Sequence, residues 1–446
     1  MAIVTPFRGI VFNPSKIYDI ADVMAPPFDV VSEAERQELH ERNPFNSIRL
    51  TLGNADPSNP EDHGWVNRSA QYFDQWLNAG ILIQDNSPTL YFTARSFFHN
   101  NKPITRFGFI ALISLEPFEN RVVLPHEKTF SNVRSQRLAL IKASKANFSP
   151  IFSLYSDPEN SILVRLKAAV FDKNPDIDFV DHDSQRHRLW RITEHAVQET
   201  VSETLKSKQI YIADGHHRYT TALNYRDWLH SQNPDFPKDH PANFVMMYFS
   251  CMEDPGVIIL PAHRLLRQVP DSIRTTLIPK ARKYFDVTTL PYKGKEREKT
   301  LIEFASLLKS NSPKTVIGVY MRDHNELYLL TLKPKTMDQL YKDKIPEVLR
   351  SIDVTVLNQL IFIDILGFDE DNVEKEKLIG YTSSEAAAVE SVDTGVYDIA
   401  FVLNPTRHEQ VKHIADQGLI MPRKATYFYP KVGSGLVMNR LSPESA

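Results

Sequence analysis

A mixed α/β fold is what this sequence predicts, and two observations predict it. Short apolar runs bounded by turn residues alternate with stretches of helical periodicity, and 29 prolines against 15 glycines punctuate the joins. The segment IYIADGHHRYTTAL, residues 210–223, condenses that alternation: an apolar strand ends in a tight polar turn, which opens a helix. With 446 residues, 42% hydrophobic and 24% charged, the chain is long enough for two or three domains and has the composition of a globular protein.

The elements follow in order. Ser32 and Glu35 stand in capping-box spacing at the head of a helix over 32–42, and Tyr72, Phe73 and Trp76 mark a second helix over 65–77. Aromatic and β-branched residues predict strands over 90–98 and 105–115, with Asn-Asn-Lys-Pro turning a hairpin between them. An apolar run at 151–155 precedes a helix over 160–171, a strand near Phe179, a strand over 189–193 and a helix over 194–206. Runs at 209–213, 244–249 and 257–260 read as a continuing sheet, and a first domain is expected over 1–270. A second α+β domain is expected over 271–446, with helices at 271–284 and 296–308, strands at 286–290, 316–321, 326–332 and 399–403, a long helix at 346–366, and helices at 383–390 and 409–415.

Charge and cysteine content narrow the function. Fifty-two basic against 55 acidic residues give a formal charge of -3, which offers no general attraction to nucleic acid or to an anionic membrane. The single cysteine, Cys251, makes neither an intramolecular disulfide nor a cysteine-based zinc site. The first residues lack the pattern of a signal peptide and no run approaches the roughly 18 apolar residues of a membrane span, so a cytoplasmic location is expected.

The chemistry concentrates where the 209–213 strand meets its helix. A helix start favours an anion through its N–H groups and dipole, and Gly215 lets that anion approach the backbone. Arg218 suits a bidentate clamp, Asp214 a divalent ion or a proton, and His216 and His217 titrate near neutrality. Alternatively Asp214-Gly215 is a plain turn, with Asp214 as an N-cap.

A second cluster, His126-Glu127-Lys128-Thr129, offers a base, a carboxylate, a cation and a hydroxyl, with Arg134 and Arg137 close behind. No second histidine follows at HExxH spacing, so it is not a zincin site; a solvated charge cluster is the ordinary reading. Asp29 follows the rigid pair Pro26-Pro27 and is a candidate metal ligand or base, equally a turn before the helix at Ser32. Asn46 and Arg49 either line the same pocket or sit on a half-buried strand. His263 and Arg264 emerge at a strand end, where a structural histidine is the preferred reading, and Asn404, Thr406 and Arg407 follow the strand IAFVL. Tyr427, Tyr429 and Lys431 alternate near the end, as a packed strand or as part of a polyanion site.

The segments ADGHHRYTTAL, APPFDVVS, LPHEKTF, LNPTR and YFYPK, in that chain-wide set, resemble the domain-of-unknown-function 1015 family. The strand-DGHHR-helix element further resembles that of the ParB/sulfiredoxin-like superfamily, which includes free serine kinases. That resemblance implies a ParB/sulfiredoxin-like first module and a phosphate-holding role for Gly215, His216, His217 and Arg218. The expected activity is phosphoryl transfer from ATP or ADP, with Mg²⁺, to a small hydroxylated metabolite such as serine. Arg218, Lys128, Thr129, Arg137 and Lys431 would contact phosphate, Asp214 and Asp29 would hold metal, and Glu127, His126, His216, His217 and Asp214 would serve catalysis. The expected partners are a nucleotide and a small-molecule substrate, with neither nucleic acid nor membrane. The alternatives are a phosphoester hydrolase and a non-catalytic nucleotide-binding regulator.

Overall fold

The computed structural model describes residues 1–53, 64–129, 131–233, 235–312, 314–369 and 378–443, with backbone alone for 131–134. The chain forms two units, Met1–Ile258 together with Pro430–Ala446, and Ile259–Tyr429. No helix among the described residues is long and apolar enough to cross a membrane.

The first unit is built on a mixed nine-stranded sheet. Its strands are β1 Val4–Thr5, β2 Leu90–His99, β3 Lys102–Ser114, β4 Val123–Leu124, β5 Ile151–Tyr155, β6 Ile177–Val180, β7 Arg186–Ile192, β8 Ile210–Asp214 and β9 Phe244–Cys251. The spatial order is β4-β8-β5-β9-β3-β2-β7-β6, with β1 on β3. Five helices matter here: α1 Glu33–Arg42, α2 Gly64–Asn78, α3 Ser131–Ser144, α4 His195–Lys206 and α5 His216–Gln232.

Local chemistry explains these elements. Ser32 caps α1 as its spacing predicts: the Glu35 amide donates to Ser32 Oγ at 3.3 Å and the Ser32 amide to Glu35 Oε2 at 3.4 Å. β2 and β3 close a two-residue hairpin because Asn100 and Asn101 both adopt positive φ, 49° and 59°, the conformation that matches strand twist. Alternate residues of the central strands, among them Phe92, Phe109, Ile151, Ile212 and Phe249, share one buried cluster with Val197, Val201 and Leu205 of α4. A second cluster gathers Phe73 and Trp76 of α2 with Ile10, Phe12 and Phe148.

Two expectations for this unit are corrected. The run at 257–260 does not join the nine-stranded sheet. Asn46 and Arg49 do not lie on a strand, since Ile48–Thr51 is one helical turn. Asn46 is fully buried and donates to the carbonyls of Asp22 and Met24 at 2.7 and 2.9 Å, while its Oδ1 accepts from the Ile48 amide, and those bonds favour a turn over a ladder.

The second unit carries an antiparallel six-stranded sheet. Its strands are β10 His263–Leu266, β11 Phe285–Pro291, β12 Val316–Met321, β13 Glu326–Leu332, β14 Ile379–Thr382 and β15 Ile399–Leu403, in the order β11-β13-β12-β15-β10-β14. Phe304, Val316, Leu329, Ala388 and Val402 fill its core. The long helix expected over 346–366 is broken: Glu347–Arg350 and Asp353–Val356 are separate turns, and Leu357–Ile365 is a π-helix, with Ile352 in extended conformation as the break.

Phe249 is fully buried and stacks on Phe109 at 5.1 Å. Phe249→Ala therefore leaves a cavity at the centre of the first sheet, and urea unfolding should show a loss of about 3–5 kcal/mol.

Candidate functional site

The site begins at the end of β8. Pairing of β8 with β5 slips register between Ile212 and Asp214, a bulge of the kind that re-aims side chains at a strand end. Gly215 follows at φ +101°, a left-handed conformation that favours glycine, and a Cβ there would stand 2.9 Å from Arg218 Nε and displace that side chain. Gly215 offers no side chain to cap α5, and no side-chain cap bond is made. The first-turn N–H groups of an α-helix lack intrahelical acceptors, which leaves the start of α5 suited to an anion.

Asp214 is buried between two cations. Arg218 Nη2 donates to its Oδ2 at 2.6 Å, and Lys431 Nζ donates to its Oδ1. Burial alone would push the carboxyl pKa up, but the charges of Lys431 and Arg218 outweigh it and hold Asp214 at about 2. Lys431 shows the reciprocal effect: burial would lower its ammonium, yet Asp214, with Asp29 and Glu127, raises it above the ordinary value. Arg218 also donates to the carbonyl of Pro150.

Histidines form the second layer. The His126 amide donates to His216 Nε2 at 3.2 Å, so the proton of neutral His216 resides on Nδ1, which stands 3.6 Å from Glu127 Oε2. Burial drives both histidines neutral, His216 well below its usual range and His126 to about 4. Their rings meet edge to face with centroids 4.6 Å apart. Glu127 is 33% exposed and is therefore reachable by a ligand. Lys128 and Thr129 follow on the same segment, exposed and half-buried, and His217 is half-buried on α5.

Arg137 on α3 donates to the carbonyl of Thr51 at 2.6 Å and lies 3.8 Å from the centroid of the Phe28 ring. Burial lowers its pKa to about 10 against the pull of Asp29, which is itself exposed. Thus Asp214, Arg218, Lys431, His126, His216, Glu127, Arg137 and Asp29 are brought into one electrostatic neighbourhood in the first unit. The Arg134 side chain lies outside the described residues.

Other candidates have structural partners. His263 accepts from the Leu403 amide at 3.1 Å, Arg264 donates to Arg423 O at 3.0 Å, Thr406 Oγ1 donates to Ala425 O at 2.7 Å and Asn404 Nδ2 to Leu308 O at 3.1 Å. All of these lie in the second unit.

Sequence reasoning missed Arg95 and Arg106. They face each other across β2 and β3, an arrangement that like charges disfavour. Both donate to the same stretch of backbone: Arg106 Nη1 to Pro430 O at 2.6 Å and Arg95 Nη1 to Lys431 O. Arg106 is 1% exposed, against the Phe152 and Tyr248 rings. The detectable signal was an arginine inside each of two aromatic strands.

A family model described as "Protein of unknown function (DUF1015)" matches residues 4–355. The chain belongs to the DUF1015 family. No curated protein matches this DUF1015 chain. Among solved structures, a conserved hypothetical protein from Pyrococcus furiosus aligns at 11% identity and TM-score 0.33, covering 72% of this chain and 92% of its own. A free serine kinase mutant in complex with ADP aligns at 10% identity and TM-score 0.37, covering 75% and 92%. SbnI from Staphylococcus aureus, with a C-terminal truncation, aligns at 10% identity and TM-score 0.34, covering 76% and 90%.

The buried histidines predict an acid-labile fold. The unfolded chain takes up protons near pH 6.5, whereas native His126 resists until about 4 and burial holds His216 well below its usual range, so stability falls as pH drops through that window. Asp214 adds a further loss only as pH falls from 3.8 toward about 2. Denaturant melts between pH 7 and 4 should show this decline, and His126→Gln should make it shallower; an unchanged slope would contradict the burial of a neutral imidazole.

Proposed function

We propose that this protein binds a nucleotide by its phosphates at the start of α5 and transfers a phosphoryl group to a small hydroxylated metabolite, with free serine the first acceptor to test. The observation that carries the reading is the convergence of Lys431 and Arg218 on Asp214 beside an uncapped helix start. Phosphoryl transfer needs alignment and charge neutralisation more than a strong nucleophile, and two fixed cations with a helix N-terminus supply both.

Asp214, ionised and saturated by its two partners, positions Lys431 and Arg218 and does not serve as the base. Glu127 takes that role. His216 Nδ1–H faces the carboxylate at 3.6 Å, and the acceptor hydroxyl passes its proton to Glu127 while its oxygen bonds to phosphorus and the bond from phosphorus to the nucleotide oxygen breaks. His216 stays neutral throughout.

Asp214 does not fit a magnesium ligand. Both Asp214 oxygens are bound by cations, and no group of three or more His, Cys, Asp or Glu suited to a metal occurs among the described residues.

The reading is tested by incubating the protein with ADP or ATP, magnesium and serine and measuring phosphoserine by mass spectrometry. Wild type should form it, and Glu127→Gln should lower the rate roughly 100-fold or more while retaining the nucleotide-induced rise in Tm. Absence of both phosphoserine and any nucleotide effect on Tm would overturn the reading.

A further inference from the structure

A cavity of about 70 Å³ in the first unit is left unused by the chemistry above. Phe28, Phe148 and Val245 contribute apolar wall, and Arg137, Arg218 and Thr221 contribute the polar part. Its volume is below the roughly 150 Å³ of a cavity that encloses benzene and the roughly 300–1,000 Å³ of sites that enclose a drug-sized ligand, so it holds part of a ligand and not the whole.

We infer that this cavity receives the base of the nucleotide whose phosphates dock at the start of α5, an inference that rests on the proposed nucleotide reading. Three observations lead there. Arg218 belongs to both places, since the side chain bound to Asp214 also lines the cavity. Arg218 and Thr221 are three residues apart on α5 and so share a helix face, and Thr221 lies about 7.5 Å along the axis from the first residue of the helix, the scale of a ribose joining phosphate to base. Thr221 is 3% exposed and its hydroxyl has no hydrogen-bond partner, an uncommon state for a buried polar atom.

A nucleobase meets the chemistry of these walls. Its faces are apolar enough for Phe28, Phe148 and Val245, and its edge carries the donors and acceptors that the Thr221 hydroxyl lacks. The guanidinium of Arg137, already stacked on Phe28, adds a planar cation to the lining. An acyl chain would satisfy the apolar wall but leave the hydroxyl without a partner.

Calorimetric titration with ADP and with inorganic pyrophosphate, in the same buffer, separates this inference from the one it rests on. ADP should bind wild type at least about tenfold more tightly than pyrophosphate, and Thr221→Val, which keeps the shape, should weaken ADP by roughly three- to tenfold while leaving pyrophosphate unchanged. If pyrophosphate and ADP bind wild type equally, or if Thr221→Val weakens both alike or neither, the base is elsewhere and this inference fails alone. If neither ligand binds wild type, the phosphate reading fails and this one with it. If Thr221→Val does not fold, Thr221→Ala, which removes the same hydroxyl, carries the comparison.

Discussion

The first unit depends on one buried carboxylate being met by two cations. Asp214 sits at the end of a buried strand, where an isolated charge would force the site to open or the group to neutralise. Lys431 and Arg218 remove that penalty, and in return the carboxylate fixes where two positive side chains stand. Removing Asp214 from this buried set leaves its two cations uncompensated, at a cost of about 3–5 kcal/mol, so the arrangement constrains the fold as strongly as it shapes the site.

The partner from far along the chain is held by backbone as well as by charge. Lys431 is separated from Asp214 by 217 residues, and its segment is gripped by Arg95 and Arg106 through the carbonyls of residues 430 and 431. Just beyond, Ser434 pairs with Ala25 in both directions, its hydroxyl meets Ser149 at 2.6 Å, and Gly435 at φ +99° passes where a Cβ would stand 2.9 Å from Ser47. The strap's carbonyls, together with Asp181 at 3.6 Å from Arg95, relieve the mutual repulsion of the opposed arginines of β2 and β3.

How much of this was legible in the sequence follows from range. Features set by neighbours within a few residues could be read: the Ser32–Glu35 capping box, the hairpin at Asn100-Asn101, and the strand, glycine turn and helix at 210–223. The mixed α/β class followed from the same local alternation. Features set by distant partners were not legible. Periodicity says nothing about which backbone an arginine in a strand will meet, so Arg95 and Arg106 passed unnoticed. It is equally silent on burial, so histidines that titrate near neutrality in isolation became neutral groups, with His216 presented to Glu127 by the His126 amide. The helix expected over 346–366 failed for a related reason: an apolar stretch fits several helical windings, and the π-helix at Leu357–Ile365 is chosen by packing.

The central claim is that a phosphate docks where β8 gives way to α5, and a crystal structure of the protein soaked with ADP tests it most directly. The account predicts phosphate oxygens at about 2.7–3.2 Å from main-chain N–H groups of the first turn of α5 and from the Lys431 ammonium. Nucleotide bound elsewhere, with that corner untouched, would contradict it.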